Sequence, residues 1–187
     1  MSSADIGVIN LQQLLLSSLD SKYITYAYKS LYTKHNIMNK KKQNKKFRYL
    51  RHTADIAFFA YGNTLEDCFK SSSIAMLSSM REVNKLDIKN NLKKQNIKEK
   101  ATNIDNLLWY FLQKIISITY VKSILPISIE KIKISKKNKF FYLNAQIIYK
   151  NDQIENSFLM DVKAVTPHDL KVEYIGKIYR SHVILDI

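Results

Sequence analysis

The residues from Leu170 onward constrain the fold more than any others. Leu170, Val172 and Tyr174 alternate with polar neighbours, Gly176 offers a turn, and Lys177–Ile187 alternates again. In that last run Tyr179, Ser181, Val183, Leu185 and Ile187 share one face, with Ile178, Arg180, His182, Ile184 and Asp186 on the other. A period of two on both sides of a glycine predicts an antiparallel hairpin. A terminus held in a sheet is ordered rather than frayed. It would fix Asp186 and the carboxylate of Ile187 as neighbouring oxygen donors. Two like charges held that close require a cation, a proton or a basic side chain. A hard divalent metal takes oxygen ligands; a solvated terminal aspartate is the plain alternative.

The pattern upstream alternates helices with strands. Arg48–Arg51 and Ile56–Tyr61 read as strands separated by His52-Thr53-Ala54-Asp55, with Gly62-Asn63 as a turn. Thr64 is a helix N-cap with Asp67 three residues on. Leu65, Phe69, Met76 and Met80 then form a helical stripe, with Cys68 and Ala75 beside it. Cys68 is on this reading a small core residue rather than a nucleophile. Val83–Lys100 is polar, with a weak strand marked by Leu86-Asp87-Ile88 and Ile97. A second helix, capped by Thr102 or Asn103, is apolar on most sides from Ile104 to Ile118 and belongs at the centre. Ile127 and Ile129 alternate, and Ile132 and Ile134 continue on the other parity, which predicts a bulge near Glu130-Lys131. Phe141, Leu143, Ala145, Ile147 and Tyr149 form a strand face, and Phe158–Val165 is the next expected strand. The order predicts an α+β fold of two helices on mostly antiparallel sheet, two-layer or sandwich-like.

Composition narrows the classes. A chain of 187 residues holds one ordinary domain plus a tail. Its single cysteine excludes an intrachain disulfide and a cysteine-rich zinc site. No run approaches the ~18 unbroken apolar residues of a membrane span. The formal net charge is +14. Residues 34–46 contain six lysines and no acid and read as a charged linker after a divergent N-terminal extension, so the expected domain is 47–187. Within the extension, Leu11–Leu19 reads as a short amphipathic helix. Neither a secretory nor an Arg-rich transit signal is expected at the N-terminus, and the expected location is cytoplasmic, nuclear or both. The domain itself is basic. This either favours an RNA or phosphate-rich partner or reflects a Lys-, Asn- and Ile-rich bias across the whole chain.

Three segments place polar groups at strand ends: Arg51-His52-Thr53-Ala54-Asp55-Ile56, Asp161-Val162-Lys163-Ala164-Val165-Thr166-Pro167-His168-Asp169-Leu170, and Val183-Ile184-Leu185-Asp186-Ile187. In this order, flanking two helices, they resemble the archease family. Ala60-Tyr61-Gly62, Thr64-Leu65-Glu66 and the apolar helix Asp105–Ile118 extend the resemblance over about Phe47 to Ile187. Three departures stand out: Ala57 replaces a usual glycine, Asn151–Leu159 is short, and residues 1–46 have no counterpart. The glycine replacement is expected to bear on the local backbone turn.

The resemblance implies an activator rather than a catalyst. Its implied partner is an RtcB-type RNA ligase of tRNA splicing, whose guanylylation and turnover it promotes, with tRNA reached indirectly or weakly and no membrane. It implies a divalent metal, commonly calcium, with magnesium or manganese as alternatives, bound by Asp55, Asp186 and Ile187. Lys163 is the family's other functional position. His52 is read as orienting the Asp55 turn by hydrogen bonding, and His168 as a turn residue after Pro167. The competing readings are a metal-dependent phosphoester hydrolase and a basic RNA-binding module.

Overall fold

The computed structural model describes residues 46–50, 55–80, 91–151 and 160–187. The expected N-terminal helix, the Leu86–Ile88 strand, His52 and Phe158 lie outside these residues, as does all of the lysine linker but Lys46. Seven strands and two helices follow in the order β1 (Phe47–Leu50), β2 (Ile56–Gly62), α1 (Leu65–Met80), β3 (Lys93–Ala101), α2 (Ile104–Val121), β4 (Leu125–Lys137), β5 (Phe140–Lys150), β6 (Ala164–Ile175) and β7 (Ile178–Asp186). They form a four-stranded sheet ordered β1-β2-β7-β6 and a three-stranded sheet ordered β3-β5-β4. Each strand pair is antiparallel. The fold is α+β, as the pattern predicts.

Both helices begin where side-chain chemistry puts them. Thr64 Oγ1 accepts the Asp67 amide hydrogen at 3.1 Å, and Asn103 Oδ1 accepts that of Asn106 at 2.7 Å. Each satisfies an amide that the helix leaves without a partner. Helix α1 packs on β1, β2 and β7 of one sheet and β4 of the other, and α2 on β6 of one and β3, β4 and β5 of the other. The core lies where these layers meet. Phe69 and Phe111 stack across it at 6.0 Å, and both are fully buried. Gly62 is required at the β2–α1 junction, because a Cβ there would run into the backbone of Asp67 and Cys68.

The helices also protect sheet edges, which otherwise present unpaired backbone groups. At edge strand β6, Trp109 Nε1 donates to the Val165 carbonyl at 2.8 Å and Gln113 Oε1 accepts the Val165 amide at 3.0 Å. Asp105 accepts the Val172 amide at 2.8 Å. At edge strand β4, Glu66 accepts the Ile134 amide at 3.1 Å. Edge strand β3 carries instead the exposed lysines 93, 94, 98 and 100.

The bulge expected near Glu130-Lys131 is present: the β4–β5 register shifts between Glu130 and Lys133, and Lys131 has φ 52°. The closing hairpin is also present, with Ile175 opposite Ile178 and a two-residue Gly176-Lys177 loop. Both loop residues have positive φ, 55° and 87°, the twist that matches a right-handed β-ribbon. Two expectations change. Met160–Lys163 is not strand; β6 starts at Ala164 and runs through Pro167 to Ile175, with a register shift between Thr166 and Lys171. His168 therefore lies inside an irregular stretch of strand rather than in a turn. Ala57 is regular strand, paired with Leu50 and Ile184 and 1% exposed, so its replacement of glycine disturbs no turn.

Candidate functional site

The register of the four-stranded sheet decides which polar groups meet. Ile56 pairs with Leu185, both facing the core, and Ala57 pairs with Ile184 on the opposite face. Continuing that antiparallel register by one residue sets Asp55 across from Asp186, on the same face as Ala57 and Ile184. Residues directly opposite across such a pair hold their Cβ atoms about 5 Å apart, and like charges there are destabilising. Asp186 is exposed and Asp55 half-buried.

The third segment arrives from β6. Ala164 pairs with Asp186, and the Lys163 amide donates to the Asp186 main-chain oxygen at 2.9 Å. Lys163 Nζ then donates to the Ile187 main-chain oxygen at 3.2 Å. Just upstream, the Tyr120 hydroxyl donates to Asp161 Oδ1, tying this segment to the end of α2. Burial, and then the adjacent Asp161 carboxylate, hold the Tyr120 hydroxyl above its ordinary pKa. Neither Tyr120 nor its bond was visible in the sequence, because the contact joins positions 41 apart. Asp161 lies in a singled-out segment, and that was the available signal.

Two histidines fall elsewhere. His168 Nε2 lies 3.2 Å from Asp169 Oδ2 on the exposed irregular stretch of β6. His182 sits against Phe59, ring centroids 5.1 Å apart, with Nδ1 2.9 Å from the Asp169 main-chain oxygen. Cys68 is fully buried, and burial pushes its thiol up to about 11. It is a core residue without thiolate character near neutral pH.

Among the described residues no three His, Cys, Asp or Glu side chains gather in a group able to hold a metal. Any cation here relies on two carboxylates together with main-chain oxygen. That donor set suits a hard divalent ion and would leave most of the ~6–8 positions that calcium prefers for water or an incoming oxygen. The ammonium on Ile187 is the cation already in place.

The fold and this strand-end cluster define an α+β domain whose polar groups are oxygen acceptors and one ammonium. Residues 47–187 match the Archease protein family (MTH1598/TM1083). The chain belongs to that family. It is 30% identical over 130 residues to Protein archease of Pyrococcus abyssi, across 69% of this chain and 89% of that protein. It is 26% identical over 148 residues to Protein archease-like of Dictyostelium discoideum, across 78% of this chain and 95% of that protein. Its fold is similar to the solution structure of Methanobacterium thermoautotrophicum protein 1598, with a TM-score of 0.67 and 24% identity over 77% of this chain and 100% of that one. No helix among the described residues is long and apolar enough to cross a membrane.

Proposed function

We propose that this chain is a metal-binding accessory protein that activates an RtcB-type RNA ligase in tRNA splicing, promoting the ligase's guanylylation and turnover without catalysing a reaction itself. The observation that carries this reading is the approach of three distant segments at one sheet end: Lys163 Nζ lies on the Ile187 oxygen, and Asp55 and Asp186 each directly adjoin the last β2–β7 pair, Ile56 with Leu185. Asp55, Asp186 and main-chain oxygen of Ile187 would hold the divalent ion, calcium as the family resemblance implies, with magnesium or manganese as alternatives. When bound, it would supply a positive centre with open positions for phosphate or carboxylate oxygen. Lys163 would present a point charge to the same partner. For activation, the cluster must bind one state of the ligase better than another.

The reading is tested by ligase guanylylation with Asp55→Asn, Lys163→Ala and Asp186→Asn. Each is expected to reduce stimulation by roughly tenfold or more, since even an outer-shell partner of a metal is worth about that much. Unchanged stimulation by all three removes the proposal. Metal-dependent phosphoester turnover by the chain alone would replace it with the hydrolase reading.

A further inference from the structure

The outward face of the three-stranded sheet has no role in the cluster above. Its inward positions, such as Ile97, Leu143, Ala145 and Ile147, are buried. The outward positions carry Lys94, Lys98 and Lys100 on β3 and Lys133 and Lys137 on β4, against one acid, Glu130. Two aromatic rings of β5 lie among them. Lys100 Nζ is 3.9 Å from the Phe140 ring centre and 5.5 Å from that of Tyr142, and Lys139 approaches Phe140 at 5.6 Å. Opposite Lys98 stands Asn144, and opposite Asn96 stands Gln146. A cleft of about 410 Å³ is lined by Lys98, Lys100, Tyr142 and Asn144, together with Glu99 and Leu143.

One atom on this face calls for a donor. Gln146 Nε2 donates to Asn96 Oδ1 at 3.3 Å, while Gln146 Oε1 is buried without a hydrogen-bond partner. Buried polar atoms are nearly always paired.

We propose that this sheet face binds single-stranded nucleic acid. The lysine field neutralises phosphates, and release of their counterions drives association. Phe140 and Tyr142 offer stacking faces to bases once Lys100 swings from the ring to a phosphate. The exposed amides of Asn96 and Asn144 offer polar edges to bases. An acidic protein would use the lysines but would have no call on the rings or amides. The proposal is independent of the metal cluster, which sits on the other sheet.

The test is fluorescence anisotropy of the full chain with ~12-nucleotide oligouridylate and oligothymidylate, a length within the usual site size. Circular dichroism checks folding of each variant. Lys98→Glu with Lys100→Glu is expected to weaken binding at least about tenfold and to lower the salt slope by roughly 1.4, two phosphates at single-strand weight. Phe140→Ala is expected to weaken binding several-fold or more, with the salt slope kept. The affinity ratio of the two oligonucleotides assigns RNA or DNA as the source. The proposal is overturned if wild type binds neither. It is overturned if charge reversal on the face changes nothing while reversal of Lys40, Lys41 and Lys42 abolishes binding. It is also overturned if Phe140→Ala is inert and polyglutamate displaces the oligonucleotide charge for charge, which assigns an acidic protein partner.

Discussion

Lys163→Met is expected to tighten divalent-cation binding rather than weaken it. The ammonium lies 3.2 Å from the Ile187 main-chain oxygen. A calcium ion on the same oxygen would sit about 2.4 Å away. With the two on separate lone pairs, roughly 120° apart, the charges are about 5 Å from each other. At the dielectric of water, suitable for an exposed site, a monovalent and a divalent charge at that distance repel by about 1.7 kcal/mol. This corresponds to a rise in affinity of roughly tenfold to twentyfold at low salt. At ~0.15 M ionic strength, screening roughly halves the energy and leaves a few-fold effect. Isothermal titration with calcium at two salt concentrations reads both values. The same variant is expected to lose stimulation of the ligase, so affinity for metal and activation move in opposite directions. Weaker calcium binding in Lys163→Met would refute the reasoning, because Lys163 would then be arranging the oxygens for the ion rather than competing with it.

Two further expectations concern the core behind the site. Ser72 and Ser181 are fully buried, with their hydroxyls 2.8 Å apart, and Ser72 donates its hydrogen to the Cys68 carbonyl at 2.8 Å. Ser181 must therefore be the donor between them, so Ser72→Ala removes two bonds, leaving the Ser181 hydroxyl only the weak Cys68 sulfur acceptor, and should cost about 1–3 kcal/mol, while Ser181→Ala only removes an accepted bond of Ser72 and should cost about 1 kcal/mol or less. Thermal unfolding of both single variants and the double resolves this at about 2–4 °C per kcal/mol; equal losses that add would contradict the assigned donor. The second expectation is alkaline. Burial raises the Cys68 thiol from 9.0 to about 11, so the unfolded chain releases this proton first. The contribution is complete below about pH 9 and falls as pH rises toward 11, and burial pushes the Tyr49 hydroxyl up as well, which extends the loss. Urea unfolding across that range is expected to show declining stability, and Cys68 should resist thiol reagents near neutral pH until the chain unfolds; rapid labelling of folded protein would contradict its burial.

Elements with local causes were legible in the chain. The Thr64 cap, a second cap at Thr102 or Asn103 that the structure assigns to Asn103, the phase slip at Ile129–Ile132 and the Gly176 turn each follow from a few adjacent residues. The convergence of Asp55 and Asp186 was legible only through the family resemblance: the period of two fixes which face each residue takes, but not which strands pair or in what register. Four buried serines in α1 went unread, since Ser71, Ser72, Ser73 and Ser79 have no apolar signature. Ser72, Ser73 and Ser79 are satisfied there by short bonds to the preceding turn, such as Ser79 to Met76 at 2.6 Å. The start of β6 was misplaced because Met160 and Val162 are buried without being strand, and hydrophobic alternation cannot separate the two. The lysine-rich sheet face was hidden by the same basic bias that fills the whole chain; only register shows that five lysines share one side.

The protection of sheet edges and the placement of the cluster have one cause. Strand β6 ends the four-stranded sheet, and an edge strand is free to fray at its start. Here both backbone groups of Val165 are taken by α2, through Trp109 and Gln113. Two residues earlier, the Lys163 amide is held by the Asp186 carbonyl. The Lys163 side chain therefore leaves a backbone fixed on both sides, and only its own rotamers govern how it reaches Ile187. Asp186 is fixed in turn by β6 on one flank and, through Leu185 and Ile56, by β2 on the other. A cluster of like charges is affordable at a sheet end only when the strands that carry it cannot separate to relieve the repulsion. The apolar central helix thus serves the site from behind: its indole and amide lock the strand whose lysine reaches the Ile187 oxygen.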